Sequence, residues 1–225
     1  MGALTWSERV MRGVCLVAAV MCLFSAARQP MALTWALLPA VVLLRYPLRR
    51  WTDRWPLAVA YLITGIAAGY GVEVAAILDN LPKPATDRVL LHPHPVADLI
   101  LALPYYGVVA ATWYLLLCRY AFSAASVALV ALVYGLFTEQ MGAHMAGLLS
   151  GSLQRAGAAL AVGTVYIAFQ LTPVLLTADR FPSDRRRAGV LAVLVAVAAL
   201  WGQWALTGLI TYPLFRRLLD RWFTE

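Results

Sequence analysis

Charge is what this chain has least of. Of its 225 residues, 13% are charged and 62% hydrophobic, with a mean hydropathy of +0.75. A soluble domain carries roughly a quarter charged residues and is near half apolar, so an ordinary water-soluble fold is excluded. Lysine is almost missing: Lys83 stands alone among 18 basic residues, and the net charge of +7 is carried by arginine. The arginines sit between apolar runs and not on a polar face interleaved with aromatics. That removes a nucleic-acid partner and leaves topology setting and headgroup contact. Cysteine is scarce as well. Cys15, Cys22 and Cys118 lie inside apolar segments with no CxxC, and read as small core residues. There is no phosphate-binding glycine loop, no HExxH, no repeated histidine box and no lipidation motif, so no cofactor is expected. No long polar linker interrupts the chain, which reads as one domain over 1–225.

What fills the sequence is apolar runs of spanning length. A helix crosses a bilayer in roughly 20 mostly apolar residues, or 17 to 25 with tilt. Seven segments qualify: 10–27, 31–48, 55–78, 96–118, 123–149, 156–178 and 188–214. The expected fold is all-α, a polytopic transmembrane helix bundle of about seven spans. The first run follows Arg9 and Arg12 in the manner of a signal peptide, but a second run follows at once, so it reads as a signal anchor.

With seven spans, the N-terminus and the loops 45–54, 119–122 and 179–187 share one side. That side carries eleven arginines, among them Arg45, Arg49, Arg50, Arg54 and the run Arg185–Arg187. The opposite side carries seven basic residues, three of them in the amphipathic tail "FRRLLDRWFTE", which suits an anionic leaflet. The positive-inside rule then makes this a multi-pass cell-membrane protein with a cytoplasmic N-terminus. The longest connection, 79–95, reads "DNLPKPATDRVLLHPHP". Its four prolines forbid a regular helix, and it is expected to cover the bundle mouth as a lid.

Ionisable groups inside spans are costly and normally face a cavity or one another. Counting at 1.5 Å per residue from the arginine-rich side places Glu73 about 27 Å along the third span, Glu139 about 24 Å and His144 about 31 Å along the fifth. Asp98 starts the fourth span from the far side, and His92 and His94 belong to the loop there. These groups therefore share the half of the bilayer opposite the arginines. Glu73 continues the stripe of Gly65 and Gly69, and Glu139 that of Gly135, so both point at closely approaching helices. Tyr105, Tyr106, Tyr134, Gln140, Tyr166, Trp201, Gln203 and Trp204 are the candidate substrate-binding groups around them.

Three chemistries fit this set. A carboxylic acid in a dry, aromatic-lined cavity can protonate an alkene or epoxide, with aromatic faces stabilising the cation. Glu73 and Glu139 are the acid and base candidates, with His144 and Asp98 as partners. Alternatively, His92, His94, Asp98 and His144 hold a metal, although their spacing matches no known ligand pattern. Thirdly, the chain is a transporter, a lipid or pigment carrier, or a complex subunit. Membrane lipid and an apolar small molecule are the expected partners, and an oligomer is compatible with each reading.

The stretches "GYGVEVAAILDN" and "YGLFTEQMGAHMAGLLSG" resemble small integral-membrane terpene cyclases and carotenoid hydratases or cyclases. The "ExxG" of Glu139–Gly142 is similar to a fragment of a carotenoid-hydratase pattern. The resemblance implies a multi-span fold, isoprenoid substrates, and functional acids in or near the spans. The aromatic–glycine signature expected after that fragment is absent. So is the last-span acid of the fungal-type cyclases, since Asp220 lies beyond the span.

Overall fold

The computed structural model describes residues 5–223. Ten α-helices follow one another: α1 (Trp6–Ala26), α2 (Ala32–Leu43), α3 (Arg45–Thr52), α4 (Leu57–Asn80), α5 (Pro95–Arg119), α6 (Ala124–Thr138), α7 (Ala143–Leu149), α8 (Leu153–Thr177), α9 (Val190–Leu206) and α10 (Tyr212–Phe223). Among the described residues six helical stretches are long and apolar enough to cross a membrane, and α2 is apolar but short. The expected all-α bundle is what forms. The described residues add a two-residue parallel ladder, β1 (Tyr120–Ala121) with β2 (Arg186–Arg187).

Local chemistry starts these helices where the chain allows it. Thr5 and Glu8 form a reciprocal capping box on α1. Ser123 and Ser152 accept the Ser126 and Arg155 amides at the heads of α6 and α8. Pro95 takes the first position of α5, where no helical amide is needed.

Five helices close a ring in the order α4, α5, α9, α6, α8, each packed on the next and α8 returning to α4. Aromatic side chains fill it: Trp113, Tyr61 and Tyr134 are the largest fully buried groups. Outside the ring, α2 lies on α8 and α4, and α1 packs on α2.

Two expected spans are interrupted. The segment 31–48 breaks at Leu44, where α2 gives way to the strongly amphipathic α3. The segment 123–149 stops at Thr138, because Gln140 (φ 47°), Met141 (φ 55°) and Gly142 (φ 85°) adopt left-handed backbone. Counting a continuous helix up to His144 therefore overstates its height.

Arginines stitch one end of the ring. Arg180 donates to the Thr52 and Trp55 carbonyls at 2.9 and 2.6 Å, Arg49 pairs with Asp179, and Arg185 donates to the Leu117 carbonyl at 2.9 Å. The loop between α4 and α5 closes the other end. Arg88 holds the Leu81, Lys83 and Pro93 carbonyls, and Asn80 accepts the Val89 amide at 3.0 Å.

Candidate functional site

Glu73 sits late on α4 and Glu139 immediately after the end of α6, two helices that run the same way from the arginine-stitched end. Each is met by a tyrosine from the helix that packs on its own. The Tyr106 hydroxyl donates to Glu73 Oε2 at 2.9 Å, and the Tyr166 hydroxyl to Glu139 Oε2 at 2.7 Å. In both cases the glycine four residues before the glutamate makes room for the ring. A Cβ on Gly69 would overlap the Tyr106 ring, and one on Gly135 the Tyr166 ring. The unit is the same twice: Gly-x-x-x-Glu on one helix and a tyrosine lying across the glycine to reach the acid.

The two units share a wall. Tyr106 and Tyr166 both pack on Phe169, with ring centroids 5.2 and 5.6 Å away. Tyr105 stands edge-on to Tyr106 at 5.1 Å, and Tyr134 to Tyr166 at 5.8 Å. Edge-to-face pairs of this kind contribute about 0.5–1.5 kcal/mol each beyond their burial. The Tyr134 hydroxyl lies 3.1 Å from that of Tyr105 and 3.3 Å from Gln203 Oε1, and Gln203 Nε2 donates to Thr207 Oγ1 at 3.1 Å. Tyr105 has Tyr166 as its other hydroxyl neighbour. Beyond Thr207 the helix widens to a π turn over Thr207–Thr211, the kind of irregularity that often accompanies a functional site.

Asp98 joins the Glu73 half. It is 0% exposed, and its Oδ1 accepts the His92 amide at 2.9 Å. Its Oδ2 is buried with no donor among the described residues, and Glu73 is the carboxyl group that neighbours Asp98. Glu139 lies within electrostatic reach of Glu73. The first turn of α5, a late turn of α4 and the residue that follows α6 thus deliver three carboxyl groups to one end of the ring.

Other candidates fall elsewhere. Gln140 is exposed on the left-handed break, and His144 is half-buried with no hydrogen bond to a described residue. Trp201 faces outward, 38% exposed against Phe137, while Trp204 packs half-buried on the core. The ring nitrogens of His92 engage Asp220 and the His94 amide, and the His94 ring lies on Phe223. Among the described residues no three His, Cys, Asp or Glu side chains gather with metal-holding geometry.

Sequence offers Trp113 and Gln170 only as two of many polar groups in the spans; inside the ring the Trp113 indole donates to Gln170 Oε1 at 2.6 Å. A void of about 10 Å³ lies beside that pair, lined by Tyr61, Gly65, Tyr106, Phe169 and Pro173 among others. That is room for about one water, so a lipid-sized molecule would enter only if helices or the loop moved.

No protein-family model matches the chain, and neither curated proteins nor solved structures give a match.

Proposed function

We propose that the chain is a multi-pass membrane enzyme that performs acid–base chemistry on an apolar, isoprenoid-like lipid. Its seven apolar segments cross the bilayer, α2 making the second crossing and α3 lying at the arginine-stitched end. The N-terminus is cytoplasmic and the three-carboxyl end faces the opposite side.

The observation that carries this reading is the duplicated tyrosine-clamped glutamate, set in an aromatic wall with Asp98 against Glu73. Two neighbouring carboxyl groups in a buried site repel when both are ionised, so sharing one proton is favoured. On this reading the Glu73–Asp98 pair is the proton donor, while Glu139, held by the Tyr166 hydroxyl, is the acceptor. In an isomerisation or cyclisation, the pair delivers its proton to one alkene carbon. Glu139 then removes a proton from a carbon next to the resulting cation, so the proton count is unchanged and no oxidant or reductant takes part. The faces of Tyr105, Tyr106, Tyr134, Tyr166 and Phe169 would stabilise the cation between these steps.

The test is turnover of a panel of linear and cyclic isoprenoids by protein in lipid vesicles. Glu73→Gln and Glu139→Gln are each expected to lower turnover by about 10²–10⁴-fold, the usual worth of a positioned acid or base. Undiminished turnover in both variants would overturn the assignment. Recovery of every bound lipid chemically unaltered would point instead to a carrier.

A further inference from the structure

His92 is 4% exposed although it lies in a proline-rich loop, and every polar atom of its ring and its amide is engaged. Nδ1 accepts the His94 amide at 2.9 Å, and Nε2 lies 3.1 Å from Asp220 Oδ1. A neutral imidazole that accepts at Nδ1 carries its proton on Nε2, so the ring donates to Asp220 on α10. The backbone amide of the same residue donates to Asp98 Oδ1. That leaves Oδ2 of Asp98 buried without a donor, and Glu73 is the carboxyl group that neighbours Asp98.

Helix α10 grips this loop at two more points. The Tyr212 hydroxyl donates to the Leu91 carbonyl, and the Phe223 ring lies 4.5 Å from that of His94. The helix is amphipathic, with Leu214, Phe215, Leu218 and Trp222 exposed on the face turned away from the loop.

We propose that Asp220 and His92 are positioning residues: α10 holds His92, and His92 fixes which oxygen of Asp98 is presented to Glu73. The sequence HPHPVAD thus joins the C-terminal helix to the acid pair. The inference rests on the reading of Glu73 and Asp98 as that pair, but its test needs no turnover.

The full chain in phosphatidylcholine vesicles is treated with dicyclohexylcarbodiimide, an apolar reagent that adds to protonated carboxyl groups. Modification of Glu73, Asp98 and Glu139 is read by peptide mass spectrometry. Asp220→Ala is expected to raise the rate at Glu73 and Asp98 by roughly tenfold, the worth of one hydrogen bond to a charged group, and to leave Glu139 within about twofold. Asp220→Asn keeps an oxygen that accepts from Nε2 and is expected to restore the original rates. Tyr212→Phe, which removes only a hydroxyl, is expected to give a smaller rise at the same two residues and serves if Asp220→Ala does not insert. A rise shared equally by all three carboxyls would mean a loosened bundle and overturn the proposal. Unchanged rates at Glu73 and Asp98, or no modification of either in any variant, would overturn it too. If the acid–base reading alone is wrong, Glu73→Gln keeps full turnover while the labelling contrast persists.

Discussion

Glycine decides where the two glutamates point. In an apolar helix a carboxyl group has few donors to choose from, and a tyrosine reaches it only if the backbones come close. Gly69 and Gly135 allow that approach, each replacing a side chain with the flat face of a ring. Alanine at either position would force the ring aside. Gly69→Ala and Gly135→Ala are expected to cost about 1–3 kcal/mol in unfolding from mixed micelles. Gly71→Ala meets nothing within 4 Å and is expected to stabilise by about 0.5–1 kcal/mol, as alanine does in a helix interior. If Gly69→Ala and Gly71→Ala behave alike, the close packing of Tyr106 is wrong. The sequence already placed both glutamates on small-residue faces at matching depth, because distance along a helix is arithmetic. It did not pair Glu73 with Tyr106 or Glu139 with Tyr166, since depth says nothing of which neighbouring helix a face meets.

Among the elements, the break after Glu139 had the weakest signal. "TEQMGAH" contains one glycine, and neither glutamine nor methionine favours the left-handed region that Gln140 and Met141 occupy. Each such residue costs about 1–2 kcal/mol that the surrounding packing must offset, and strain of this kind gathers at functional sites. The break frees Glu139 from a regular helical turn at the point where Tyr166 reaches it. Met141→Gly should relieve the strain and raise unfolding stability by about 1 kcal/mol, whereas Gly142→Ala should lower it by a similar amount. A destabilised Met141→Gly would show that the left-handed turn is not what the chain adopts. Helix α2 is shorter than the apolar run that contains it. Its apolar run continues to the eye as far as Leu48, but Arg45, Arg49 and Arg50 turn the chain into α3, whose arginine-bearing side serves the stitched end.

For the whole molecule, the end at which α1 begins is set by contacts that lie outside the ring. The Arg12 guanidinium donates to the Leu43 carbonyl at 3.1 Å, which sets the start of α1 level with the end of α2. The end of α2 leads directly into α3, and α3 is tied to the far end of α8 through Asp179 and Arg180. The N-terminal turn of α1 therefore belongs to the arginine-rich end, even though α2, at about 18 Å, is shorter than a hydrocarbon core of about 30 Å. Single cysteines in a chain whose native Cys15, Cys22 and Cys118 are replaced by alanine would read this directly. An impermeant maleimide applied to sealed vesicles should reach Ser7→Cys and Ser183→Cys from one face, and Thr86→Cys and Ser150→Cys from the other. Were Ser7→Cys to label together with Thr86→Cys, α1 and α2 would be a hairpin dipping in from the far side, and the positive-inside assignment of the N-terminus would fail. The ring of α4, α5, α9, α6 and α8 would survive that result, because none of its contacts passes through α1. The acid site would still lie opposite the arginines of α3 and of the segment after α8, since both ends of α4 and α8 are fixed within the ring itself.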